Sequence, residues 1–171
     1  MDSLLARLPI INGKLIYQDS INIPGQNVSK LDSMVKRWFY NNFQYRCFLP
    51  QKGKDTLHNL LGQGIMEFSD FNRHQIVKYH YYLVMTIQIN CRDNSYSYKI
   101  SDMGLVLKNK FLNSAVMRPA TPEYIIDLYK HKKHYWWTTG FTSNGLKDYL
   151  ANMNRLALNT VASLKKAMAN Q

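Results

Sequence analysis

Residues 77–92 read Val77-Lys78-Tyr79-His80-Tyr81-Tyr82-Leu83-Val84-Met85-Thr86-Ile87-Gln88-Ile89-Asn90-Cys91-Arg92. Val77, Tyr79, Tyr81, Leu83, Met85, Ile87, Ile89 and Cys91 share one parity, while Lys78, His80, Tyr82, Val84, Thr86, Gln88, Asn90 and Arg92 share the other. Successive side chains leave opposite faces of a pleated strand, so this period of two predicts a β-strand with one buried face. At about 3.3 Å per residue the run would extend roughly 50 Å, well beyond a usual strand, and curvature or a bulge is expected within it. Asp93-Asn94-Ser95 is turn chemistry. Tyr96, Tyr98 and Ile100 then alternate with Ser97, Lys99 and Ser101 as the hairpin partner, which resumes at Leu105 to Leu107 after an interruption at Asp102-Met103-Gly104.

Upstream of this hub, Leu15, Tyr17, Ile21 and Ile23 keep one parity, with Asp19 the exception, and Pro24-Gly25 closes a first strand. Leu31, Met34, Val35, Trp38, Phe39 and Phe43 fall on one helical stripe, predicting a helix over Lys30 to Asn42 capped by Ser29. Tyr45 to Leu49 is a short β-like run, and residues 51–55 form a polar turn. Leu57 to Phe68 carries Leu60, Met66 and Phe68 in one parity with Gly62 and Gly64 between them, as in a strand crossed closely by a helix or bent sharply. Thr121-Pro122-Glu123 is an N-cap, an N1 proline and an early acid, predicting a helix from Pro122 to about Lys132. Leu146, Tyr149, Leu150, Met153, Leu156, Ala157, Val161, Leu164 and Met168 hold helical spacing over more than six turns, with Asn144 as cap and Asp148 in the first turn.

The fold class is therefore α+β: a curved antiparallel sheet of about four to five strands, packed by an early helix and a long C-terminal helix. One domain over 1–171 is expected. The sheet and first helix occupy 13–108, a linker with a short helix 109–143, and the last helix 144–170. A hydrophobic fraction of 46% with only 8 Gly and 5 Pro argues against collagen and disorder. No run approaches the roughly 18 apolar residues of a membrane-spanning helix.

The series Ile23-Pro24-Gly25, Trp38-Phe39 late in a helix, Gly62-Gln63-Gly64, Cys91-Arg92-Asp93 and the return Tyr96-Ser97-Tyr98-Lys99-Ile100 resembles a family. It is the domain of unknown function with a TATA-binding-protein-like fold found in exported proteins of Bacteroidota. The resemblance covers about Gly13 to Lys108. It implies a curved antiparallel sheet backed by helices and an envelope or periplasmic setting. It brings no assigned chemistry, and a fold name by itself says nothing of DNA. The opening residues Met1 to Pro9 do not read as a secretion signal, since Asp2 stands where basic residues are needed. The chain is periplasmic or envelope-associated if a signal peptide was removed, and otherwise cytoplasmic.

Chemistry is sparsely written. Glu67 and Glu123 are the only glutamates, and Asp19 on an apolar strand face reads as a bulge or an edge reaching solvent rather than a catalytic acid. His131 and His134 are three apart but sit among Lys130, Lys132 and Lys133, which repel a metal cation. Gly62-Gln63-Gly64 precedes a strand continuation, whereas a dinucleotide loop must open a helix. No nucleophile elbow occurs. Cys47 and Cys91 have no metal spacing and read as two buried thiols, or as one disulfide if the chain is exported. No catalytic, cofactor or metal residue is expected.

Charge is the remaining signal: 22 Lys plus Arg against 11 Asp plus Glu give +11. The surplus is spread along the chain, which argues for solubility and weak polyanion attraction. The dense cluster is Lys130, His131, Lys132 and Lys133, followed by Trp136 and Trp137. These six are the candidate partner-binding residues, suited to an anionic surface, a glycan or a protein partner. A non-enzymatic binding or structural module of the cell envelope is the first expectation. The alternative is a nucleic-acid-binding domain using Lys78, His80, Tyr82 and Arg92 on the polar sheet face together with the Lys130 to Trp137 segment, and an enzyme of unrecognised type is third.

Overall fold

The computed structural model of the chain describes residues 3–43, 45–49, 58–68, 80–108, 121–131 and 143–169. After a single 3-10 turn at Leu5–Arg7, the elements are β1 (Ile10–Ile11), β2 (Lys14–Leu15), β3 (Tyr17–Asn22), α1 (Val28–Asn42), β4 (Tyr45–Phe48), β5 (Asn59–Phe68), β6 (His80–Arg92), β7 (Ser95–Lys108), α2 (Pro122–His131) and α3 (Ser143–Ala169). β3 to β7 form one antiparallel sheet in the order β3-β7-β6-β5-β4, and β1 and β2 form a separate hairpin.

The alternation in β6 puts Leu83, Met85, Ile87, Ile89 and Cys91 into the core. Tyr82, Val84, Thr86 and Asn90 are half-buried on the other face, and Gln88 and Arg92 are exposed there. The bulge expected in this long strand belongs to its neighbour. Register passes from Val84↔Gly104 to Thr86↔Ser101, so Met85 faces two residues, Asp102 and Met103. Asp102 takes φ +48°, the left-handed conformation that absorbs one extra residue. The apparent interruption at 102–104 is thus a kink inside one continuous strand. It also reverses parity: Tyr96, Tyr98 and Ile100 point to the core before it, Met103 and Leu105 after it.

α1 begins at Val28, two residues earlier than the Lys30 expected, because Asn27 and not Ser29 is its cap. The Asn27 side chain accepts from Lys30 N at 2.8 Å, and Asp93 Oδ1 accepts from Val28 N at 2.8 Å. The β6–β7 turn thereby caps the helix that packs on those strands. Leu31, Val35, Trp38, Phe39 and Phe43 are buried, each contributing roughly 1.5–3 kcal/mol relative to exposure. The two glycines of β5 admit this helix: a Cβ on Gly62 would lie 2.6 Å from Phe39 Cζ, and one on Gly64 2.5 Å from Phe43 Cδ1.

The first strand is divided. Lys14 and Leu15 pair with Ile11 and Ile10 across an Asn12-Gly13 turn with φ +50° and +76°, leaving Tyr17–Asn22 to the main sheet. α2 starts at Pro122 as expected, with Thr121 Oγ1 accepting from Tyr124 N at 3.3 Å. α3 begins at Ser143, so Asn144 lies inside the helix and Asp148 in its second turn. Its stripe is buried throughout except Leu156, which is half-buried. α1 packs over β5 and β6 and also on α3, which meets α2 as well. Asp19, Tyr17 and Tyr98 reach α3 through Lys165 and Asn154, so α3 covers the β3–β7 side of the same face.

Candidate functional site

Of the six candidate residues, Lys130 is exposed in the last turn of α2 and His131 ends that helix. Lys132, Lys133, Trp136 and Trp137 lie outside the described residues, as does Lys78. Lys130 belongs to the helical layer, through α2 packing on α3. Tyr82 and Arg92 occupy the opposite face of the sheet by parity. Lys130 and that polar face therefore lie on opposite sides of the sheet.

Among the described residues, the helical side is indented by grooves, of which two bear on function. The first, about 360 Å³, runs between α1 and α3 past Met34, Arg37, Asn41 and Lys166. Its wall is a fixed polar chain: Trp38 Nε1 donates to Ser163 Oγ at 3.1 Å, Ser163 donates to Asn42 Oδ1 at 2.7 Å, and Asn42 Nδ2 donates to the Trp38 carbonyl at 3.0 Å. Arg37 and Lys166 are exposed, and Lys166 sits in the last turn of α3, where a basic side chain answers the free carbonyls. The second groove, about 300 Å³, is apolar: Pro9, Ile11, Ile16, Leu158 and Val161 line it, with Arg7 at its margin. β1, the edge strand β3 and the middle of α3 place these residues together. Sequence reasoning missed this site because it missed the β1–β2 hairpin, although Asn-Gly between Ile11 and Lys14 is its signal.

Asp19 lies on edge strand β3 and reaches Lys165 of α3 at 3.0 Å. Hydrogen bonding to Lys165 first, and to the Ser20 amide second, lowers its pKa, and Lys165 is raised in return. Asp32 was not singled out by sequence, yet its side chain is 13% exposed; Oδ2 accepts from Lys36 at 2.7 Å, and Oδ1 has no hydrogen-bond partner. Cys91 is buried and its thiol is pushed up to about 11, first by burial and then by the Asp32 charge. Cys47 is exposed, contrary to the expectation of two buried thiols: β4 is an edge strand, and Cys47 faces away from the helices beside Gln63. Both cysteines are free. Burial raises the phenols of Tyr17, Tyr96 and Tyr149, Tyr96 to about 12, and the Tyr17 hydroxyl donates to Asn154 Oδ1 at 2.6 Å. Among the described residues no three His, Cys, Asp or Glu side chains gather closely enough to hold a metal.

This geometry defines an α+β domain whose antiparallel sheet carries all its described helices on one face. No family model matches the chain, and no curated protein does. Among solved structures it is similar to a TBP-like protein from Parabacteroides distasonis, with a TM-score of 0.67 and 16% identity over 95% of this chain and 97% of that one. It is similar also to a DUF4468 family protein from Bacteroides ovatus, with a TM-score of 0.66 and 12% identity over 96% and 91% of the two chains. The chain thus has the TATA-binding-protein-like fold of these uncharacterised Bacteroidetes proteins, as the resemblance implied.

Proposed function

We propose that this chain is a non-enzymatic binding module of the bacterial cell envelope that contacts anionic partners through its basic surface. The observation that carries the reading is a set of exposed cations that have no acidic partner among the described residues: Arg7, Lys30, Arg37, Arg92, Lys99 and Lys166. They are distributed over the N-terminal turn, α1, α3 and the face of the sheet turned away from the helices, a pattern suited to weak attraction of an extended anionic surface and poorly suited to a shaped groove for a duplex. Fractionation of the native host tests the setting: recovery in the envelope fraction is expected, and recovery in the cytosol overturns it. Binding to a polyanion such as polyphosphate should weaken steeply as salt rises from 50 to 200 mM. Tight, sequence-selective binding to duplex DNA would favour the nucleic-acid reading instead.

A further inference from the structure

We infer that the apolar groove between the β1–β2 hairpin and α3 seats the protein on an anionic lipid surface. This deepens the proposed function and rests on it, by assigning the anionic partner and the side of the molecule that meets it.

Among the described residues, the exposed large apolar side chains include Ile10 and Ile11 at 37% and Leu158 at 50%. Ile11 and Leu158 line the same groove, and Ile10 adjoins it. Neighbouring residues of a strand point to opposite faces, so a hairpin normally buries one of such a pair. In β1 both isoleucines are exposed, and the hairpin therefore offers apolar surface on each side of its ribbon. Pro9, Ile16 and Val161 continue that surface into the groove.

One cation stands on the rim of the groove and two flank residues that line it. Arg7 lines the groove and, among the described residues, has no acidic partner, Lys14 pairs across the hairpin with Ile11, and Arg155 follows Asn154. Lys14 follows the hairpin turn; its side chain is 64% exposed, and its contact with Asp102 is long, at 3.7 Å. Arg155 is exposed one turn before Leu158 on α3. Exposed aliphatic side chains bordered by cations match the boundary between acyl chains and phosphate headgroups, where each part meets its own kind of solvent. No described helix is long and apolar enough to cross a membrane, so the contact is peripheral. A neutral protein partner would have no use for the cations at and beside the groove, which is why a lipid surface is the occupant chosen.

The test is sedimentation of the full chain with vesicles of phosphatidylglycerol mixed into phosphatidylcholine, against phosphatidylcholine alone. Association with the anionic vesicles and little with the neutral ones is expected. I10S/I11S and, separately, L158S should each lower the partition coefficient about tenfold while melting as folded proteins. R7A/K14A should lower it about tenfold or more at low salt, and R46A/K147A, an equal charge change at exposed cations outside both the groove and the set named above, should leave it within about twofold. Equal losses from the two charge variants with none from the apolar ones would overturn the groove assignment and leave general polyanion contact standing. Absence of vesicle binding by the unaltered chain overturns the inference outright. So does a dimer in light scattering that dissolves in I10S/I11S, which would give the groove to a second copy.

Discussion

Gly64 and Cys47 show how single residues acquire meaning from what crosses them. At Gly64 a methyl group would meet three atoms of the Phe43 ring within 2.8 Å, so Gly64→Ala must displace α1 or the ring. Its cost should be about 1–3 kcal/mol in chemical denaturation, and equal stability of the variant would show that α1 does not lie this close. The two thiols make a second check. Cys47, exposed on an edge strand, should react with a thiol reagent at neutral pH, whereas Cys91, buried and raised to about 11, should react only on unfolding. The glycine pair was legible as a close crossing from its spacing alone. The exposure of Cys47 was not, because apolar alternation in a short run does not say which strand ends the sheet.

Caps, turns and edges decide the elements. Asn27, Asp93 and Asn94 tie the start of α1 to the β6–β7 turn, with Asn94 Oδ1 accepting from Gly25 N at 2.8 Å. Asn27→Ala should cost about 1 kcal/mol and lower the melting temperature accordingly. Helix existence was plain from the stripe Leu31 to Phe43. The starting residue was not, because Asn27 and Ser29 both suit a cap and the turn that chooses between them lies some 65 residues away. The Asp19–Lys165 bridge ties edge strand β3 to α3. Asp19 is lowered from 3.8, so its share of stability is present above that value and lost as pH falls through its folded pKa. Lys165 is raised from 10.5, so its share is present below that value and lost as pH rises through its folded pKa. The difference in melting temperature between the parent and Asp19→Asn should therefore be largest between about pH 4 and 10 and vanish in stronger acid. Because both side chains are nearly half exposed, the bridge is worth no more than about 1 kcal/mol.

At the scale of the molecule, the sequence carries +11, and among the described residues most cations are without an acidic partner, Lys14, Lys36 and Lys165 being paired. Unpaired like charges repel in the folded state more than in the expanded one, so raising salt from about 10 to 150 mM should stabilise the chain. A gain on the order of 1 kcal/mol corresponds to about 2–4 °C in melting temperature for a domain this size, and a fall with salt would mean that attractive pairs dominate. The fold class, the strand at the hub, the helix stripes and the close crossing at Gly62 and Gly64 were all determined by the sequence, since periodicity and steric size act between near neighbours. What only the tertiary structure decided is where those neighbours lie across the chain: the bulge at Asp102, which depends on the register of β7 against β6; the edge position of β4; and the groove beside Ile11 and Leu158. The groove joins residues about 147 positions apart, and no local pattern carries a contact made by packing alone.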